Sequence, residues 1–325
     1  VLDLHDADDR PVGAEFVRGD IRDASTVRTA VDGCELVFHN VAQVPLARDA
    51  ELLHTVNVDG TRVLLDAARD ARVRKVVHTS SSAVFGVPRR NPVLPGDVPH
   101  PMEAYGHAKL EAEWACLAAA SDGLDVSIVR PRTILGHGRL GIFGILFDWI
   151  ADGADPVVLG DGRNRYQFVH ADDLFEACRR EADREGPAVL NVGSPEVSTM
   201  AEAVAELCRY AGTGSVVRRL PARPTAVAMR LGSRAGLLPF APYHWLMYAE
   251  SMWFDLDHLH TRLGWSPEYG TDAMFRESYD WFLADRVRSG GDTAGASEAS
   301  HHRRSARQGA LSVAKHLTRV APRVR

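Results

Sequence analysis

The first half of the chain alternates short, uninterrupted apolar runs with longer stretches whose apolar residues recur at helical spacing. A run that is apolar at every position is buried on both faces, so it belongs in a sheet covered by helices above and below. "GAEFVRGDIRD", "CELVFHNVA", "KVVHTSS" and "DVSIVRP" read as such strands. Between them "ASTVRTAVDG" reads as a helix ended by Gly33, and further helices are expected from about Thr55 to Ala71 and from about Met102 to Ala120. The fold class that follows is α/β, a doubly wound parallel sheet.

After Pro131 the rhythm loosens. Gly and Pro become frequent, one more strand, "AVLNVGS", and one helix, "MAEAVAELCRYAG", follow, and Arg218 to Phe254 is irregular and aromatic-rich. The expected organisation is a sheet domain over 1–131 to which 168–194 returns, a smaller loop-rich substrate lobe over 132–285, and a disordered basic tail over 286–325. The tail contains "SGGDTAGASEASHHRRSARQG", too poor in large apolar residues to pack. Beyond it, "GALSVAKHLTRVAPRVR" puts Leu311, Ala314 and Leu317 on one helical stripe beside Lys315 and Arg319, and reads as a solvated appendage.

With 325 residues, 45% of them hydrophobic, the chain can bury a large core. A net charge of −5 gives no electrostatic case for nucleic acid or membrane as partner. No apolar run reaches the ~18 residues of a membrane span. Cys34, Cys116, Cys178 and Cys208 lie far apart, which suggests neither zinc nor disulfides and fits a reduced, cytoplasmic compartment. Histidines such as His301 and His302 lack a metal ligand's spacing to an acid, so no metal is expected.

The most informative pentapeptide is "YGHAK". Tyr105 and Lys109 are four apart and share a helix face, while His107 points elsewhere, to solvent. A phenol with a pKa near 10 is a poor base at neutral pH. An ammonium about 4 Å away contributes on the order of 4 kcal/mol at an effective dielectric of ~20, enough to make tyrosinate accessible. Just upstream, "HTSSSAVFG" ends a strand in hydroxyls, at the carboxyl edge where parallel sheets bind ligands. Asp172 and Asp173 stand before "LFEACRR" and read as a helix cap, and Trp253, Trp265 and Trp281 read as core.

These segments, with "VLDL", "GDIRD", "VFHNVA", "NVDGT", "RPRTILG", "GDGRNRYQFVHADDL", "LNVGS" and "LGWSPEYG", resemble in order an extended short-chain dehydrogenase/reductase of the NAD-dependent epimerase/dehydratase family, from Val1 to about Asp285. The resemblance implies NAD as cofactor. It makes Asp3 the ribose-binding acid and Asp20 with Ile21 the adenine contact. Val41 and Ala42 would line the cofactor crevice, Asn57 would brace the neighbouring loop, and Pro131 would pass the nicotinamide. Ser81 falls on the catalytic hydroxyl position, Tyr105 is the acid/base, and Lys109 is its electrostatic partner and a ribose ligand. In the family a strand, glycine-rich turn and helix come before the ribose acid, so the chain is expected to start late, with roughly 25 to 30 residues of that pattern upstream of Val1.

Departures bear on the substrate. Ser82 and Ala83 stand where dehydratase members carry an Asp-Glu pair, which disfavours expulsion of water. Thr133 replaces the asparagine usual in sugar-nucleotide epimerases, and Tyr166 stands where they often carry a phosphate-binding arginine, for which Arg163 and Arg165 would compensate. Ser82, Thr133, Arg163, Arg165 and Tyr166 are thus the substrate candidates. The implied function is an NAD-dependent oxidoreductase or epimerase acting on a secondary alcohol of a nucleotide sugar. The alternatives are a reductase of a steroid-like or flavonoid-like ketone, or a non-catalytic regulatory protein on the same fold. The family's pairing mode implies a homodimer, with Leu110, Trp114 and Leu117 available on the helix of Tyr105.

Overall fold

A computed structural model describes residues 1–6, 10–44, 49–288 and 309–320. In chain order its elements begin with β1 (Leu2–Asp3), β2 (Val17–Arg18), α1 (Ala24–Val31), β3 (Leu36–His39), α2 (Ala50–His54), α3 (Gly60–Asp70), β4 (Lys75–Thr79), α4 (Ala104–Ser121) and β5 (Val126–Pro131). Next come β6 (Thr133–Leu135), α5 (Phe143–Ala151), β7 (Val157–Leu159), β8 (Arg165–Tyr166), β9 (Phe168–His170), α6 (Ala171–Ala182), β10 (Val189–Val192), β11 (Ser198–Thr199) and α7 (Met200–Ala211). The remainder comprises β12 (Arg218–Leu220), α8 (Ala222–Arg234), α9 (Pro242–Met247), α10 (Asp257–Leu263), α11 (Thr271–Arg288) and α12 (Leu311–Val320).

The chain folds as two compact units, the first made of Val1–Arg132, Asp172–Gly193 and Phe254–Pro267. Its main sheet is parallel in the order β10-β5-β4-β3, and β1 and β2 form a separate parallel pair. All of β5 and all of β4 but Thr79 are buried, as expected of strands covered on both faces. Helix α3 turns Leu64, Leu65, Ala67 and Ala68 inward, and Leu65 and Ala68 meet Val76, Val126 and Ile128 of the sheet. Its first residue has to be glycine. A Cβ at Gly60 would come within 2.5 Å of the Ile21 side chain, so the helix could not seat at this distance. Between α2 and α3, Thr55–Asp59 winds as one π-helical turn that buries Asn57. Lys75, fully buried at the start of β4, is held by Asp125 at 3.0 Å and Glu181 at 3.3 Å, and Glu181 also binds Arg262 at 2.8 Å.

The second unit comprises Thr133–Ala171, Ser194–Trp253 and Glu268–Arg325. Its strands pair two by two, β6 with β9, β7 with β12, and β8 antiparallel to β11. Its core is aromatic. Phe143, Phe147, Phe168, Phe275, Tyr279 and Phe282 pack largely edge to face, with ring centres between 5.0 and 6.5 Å apart where they touch. The stretch expected to be irregular holds α8 and α9. Pro, Gly and arginines at close spacing hid α8 from the sequence reading, and it buries only Met229.

The expected basic tail divides. Residues 286–288 continue α11, residues 289–308 lie outside the described residues, and 311–320 form α12. Helix α12 is not a free appendage: Leu311 and Ala314 pack on Ile145, Trp149 and Ala154, and Lys315 pairs with Asp148 and Asp152. Among the described residues no helix is long and apolar enough to cross a membrane.

Candidate active site

Helix α4 begins where the side chain of Glu103 caps it, accepting hydrogen bonds from the backbone N–H groups of Tyr105 (2.8 Å) and Gly106 (2.7 Å). This fixes Tyr105 in the first turn and puts Lys109 and Glu113 one and two turns further along the same face. Each grips one residue at the end of β4. The Ser81 hydroxyl lies near enough to the Tyr105 phenol to act on its acidity. Lys109 Nζ donates to the Thr79 carbonyl at 2.8 Å, and Ser80 Oγ donates to Glu113 Oε1 at 2.5 Å. Ser81 itself caps the short 3-10 turn Ser82–Phe85, its Oγ accepting from the Ala83 N–H at 3.1 Å.

The electrostatics differ from the sequence expectation. Burial, reinforced by the Glu103 carboxylate, pushes the Tyr105 phenol up to about 12 although the bond from Ser81 pulls it down. Lys109 is only 2% exposed and is itself lowered to about 8 by burial, opposed by Cys116 and Glu113. Its ammonium is directed to a strand carbonyl, so desolvation governs the phenol. His39 and His78, fully enclosed with rings 4.9 Å apart, are driven down by burial first and by Lys109 second, His39 to about 3. Both are thereby kept neutral, so they add no positive charge beside the lysine.

The residues assigned to the cofactor lie at or just beyond the carboxyl ends of strands. Asp3 is exposed at the end of β1, where its Oδ1 accepts from the His5 N–H at 3.2 Å. Val41 and Ala42 follow β3, and Pro131 closes β5. Asn57 grips the loop after β3 from both sides, accepting from Gln43 N at 2.7 Å and donating to Gln43 O at 3.0 Å. Asp20 holds Arg22 at 2.5 Å, and Ile21 is buried against α3. Taken one by one, the exposed Asp3 carboxylate and the Lys109 ammonium have the acceptor and donor chemistry with which ribose hydroxyls pair.

Several substrate candidates are taken up inside the protein instead. Ser82 is 3% exposed and accepts a bond from Arg132 Nη1 at 2.9 Å. Tyr166 is 1% exposed, its hydroxyl bonded to Thr133 Oγ1 at 2.8 Å and to Tyr243 at 3.2 Å. On β8 successive side chains point to opposite faces, so Arg165 turns away from Tyr166 and lies over Trp253 at 4.7 Å. Arg163 is exposed. Asp172 and Asp173 sit in the first turn of α6.

The sequence pattern of the NAD dependent epimerase/dehydratase family matches residues 3–193. The chain belongs to that family. This epimerase/dehydratase-family chain is 43% identical over 99% of its length to an uncharacterised protein of Sinorhizobium fredii, 80% of which is covered. It is 34% identical to a 4-hydroxy-2-methyl-3-oxo-4-farnesyl-3,4-dihydroquinoline-1-oxide ketoreductase of Stigmatella aurantiaca, over 54% of this chain and 53% of that one. Its fold matches that of the UDP-glucose 4-epimerase of Thermotoga maritima crystallised with UDP-glucose, with a TM-score of 0.72 and 20% identity over 85% of this chain and 86% of the other. Family membership makes the chain an NAD-dependent enzyme.

Sequence reasoning missed Glu103, Glu113, Ser80 and Arg130. Glu113 binds Arg130 through two contacts, 2.8 Å to Nε and 2.6 Å to Nη2. The four-residue spacing that singled out Tyr105 and Lys109 runs on to Glu113, and that continuation was the available signal.

Proposed function

We propose that this protein interconverts a secondary alcohol and its ketone, with Ser81 and Tyr105 addressing the substrate oxygen. The grip of one face of α4 on the end of β4, with Lys109 buried against the Thr79 carbonyl, Glu113 bonded to Ser80 and Tyr105 one turn before Lys109 on that face, carries the reading. Asp3, the Asn57-braced loop and Lys109 would hold NAD, which when bound exchanges hydride with the carbinol carbon. Tyr105, raised to about 12, keeps its proton at neutral pH and can donate it to a carbonyl oxygen in reduction, the same group taking it back in oxidation. Ser81 orients that oxygen. With Ser82 and Ala83 buried and no carboxylate there, dehydration is not supported.

A nucleotide sugar is the finer reading favoured by the UDP-glucose of the Thermotoga maritima enzyme. The farnesyl-bearing compound named for the Stigmatella aurantiaca relative favours an apolar ketone instead. The buried Tyr166 at the position read for a phosphate-binding arginine weighs toward the second. A homodimer through α4 completes the proposal, resting on the exposed Trp114 and Leu117.

The test is NADH oxidation against two ketone panels, nucleotide 4-ketosugars and cyclic apolar ketones. Tyr105→Phe is expected to lower kcat by roughly 10²- to 10⁴-fold while NAD binding is unchanged. Full turnover by that variant would overturn the assignment.

A further inference from the structure

Between Glu206 and Glu250 the chain has no acidic residue, while Arg209, Arg218, Arg219, Arg223, Arg230 and Arg234 all fall within that stretch of the second unit. The net charge of −5 averages this away. Two of these arginines are answered, Arg209 by Glu206 and Arg218 by Asp155. Arg219, Arg223, Arg230 and Arg234 are exposed and have no ion-pair partner among the described residues. Helices elsewhere in the protein treat their arginines differently. Arg62 has Asp59 three residues back, Arg69 has Asp66 and Arg179 has Glu176, the ordinary pairing of a solvated helix. Helix α8 is built without that compensation.

Arg223, Val227, Arg230, Leu231 and Arg234 recur along α8 at helical spacing and all are exposed, so they share one outward face. Val227 is 57% and Leu231 60% exposed, and Leu237, at 58%, extends the apolar stripe past the end of the helix. Ala310 N donates to Leu237 O at 3.0 Å, which sets the start of α12, with its exposed Val313, beside the stripe. The chain after Glu298 repeats the charge pattern, with seven basic residues and no acid. Aliphatic side chains held in water among unpaired cations match the interface of an anionic bilayer, where cations meet lipid phosphates and the aliphatic groups enter the acyl boundary. A nucleic acid would answer the arginines but offer Val227 and Leu231 nothing. A second copy of this face about a two-fold axis would set arginine against arginine.

We propose that the α8 face of the second unit is a peripheral docking surface for an anionic lipid bilayer. Val227, Leu231 and Leu237 enter the headgroup boundary, and Arg219, Arg223, Arg230 and Arg234 pair with lipid phosphates. The helix lies on the bilayer and does not cross it, 13 residues being too few to span. The surface stands independently of the hydride-transfer reading.

Flotation of the full chain with phospholipid vesicles tests the proposal. Vesicles of equal parts phosphatidylglycerol and phosphatidylcholine should carry the protein up the gradient, and pure phosphatidylcholine should not. Raising the salt from about 0.05 to about 0.3 M should weaken binding several-fold as the screening length shortens. The triple variant Arg223→Gln, Arg230→Gln, Arg234→Gln should bind roughly 100-fold more weakly. Its matched control, Arg62→Gln, Arg69→Gln, Arg179→Gln, removes the same charge from other helices and should bind as the unaltered chain does. Val227→Gln with Leu231→Gln should leave only a weaker, salt-sensitive remainder, and Tyr105→Phe should bind normally, which separates this surface from the catalytic assignment. Equal binding by the two triple variants, no preference for anionic vesicles, or tighter binding to duplex DNA than to vesicles would overturn the proposal. Should the α8 triple variant melt early, the two vesicle compositions and the Val227, Leu231 double variant decide.

Discussion

Lys109 is one of only three lysines in the chain, and each is committed: Lys75 to a buried ionic cluster, Lys315 to the pairing of α12 with Asp148 and Asp152, Lys109 to the Thr79 carbonyl. For Lys109 the commitment costs stability. An unfolded lysine has its ordinary value of 10.5, whereas here burial lowers it to about 8. Between those values the unfolded chain binds more protons, so stability rises as pH climbs from about 8 to about 10.5. Below about 8 the whole penalty, about 3 kcal/mol, is present. Lys109→Met should therefore lose turnover yet gain stability at pH 7 and flatten the alkaline rise. Denaturant midpoints at pH 7 and pH 10 for the two proteins check this, and equal pH slopes would contradict it. Tyr105 was legible from the sequence because chemistry and helical spacing coincide in five residues. Its acidity was not, since a pentapeptide says nothing of how much water the fold removes.

At the scale of the element, α4 joins the ends of two strands. Glu113 accepts from Ser80 after β4 and from Arg130 within β5, and all three residues are buried. Removing one partner of such a group leaves a buried charge unanswered, so Glu113→Ala should cost about 3–5 kcal/mol, against well under that for an exposed pair such as Arg69 with Asp66. Urea titration of both variants tests the contrast. Gly60→Val should destabilise by about 1–3 kcal/mol through its clash with Ile21, with little effect on turnover per folded molecule. The strands β4 and β5 were readable because burial on both faces leaves continuous apolar runs, β3 from its apolar run although Phe38 stays exposed, and the helices α1, α3 and α4 from apolar residues at helical spacing. Helices α8 and α12 were not. Helix α8 buries little, and α12 is secured largely by ion pairs to Asp148 and Asp152 from α5 and its C-cap, residues more than 160 positions away in sequence that no local pattern reveals.

For the molecule as a whole, α4 presents Trp114 at 58% and Leu117 at 45% exposure. Two large apolar side chains adjacent on one exposed helix face make a self-complementary patch, the kind a two-fold axis covers. Light scattering at micromolar concentration should give twice the chain's mass, and Trp114→Asp should halve it without loss of helix content. A monodisperse monomer for the unaltered chain would end the dimer proposal. The grip of α4 on residues 79–81 has a consequence for the life of the protein. The hydroxyls of Ser81 and Tyr105 belong to segments more than twenty residues apart, and three successive turns of α4 hold those segments together, like a key whose teeth lift every pin or none. If Ser81 and Tyr105 act as proposed, a partly melted chain should hold no weakened version of the site, so turnover and tertiary structure are expected to be lost together along a urea titration.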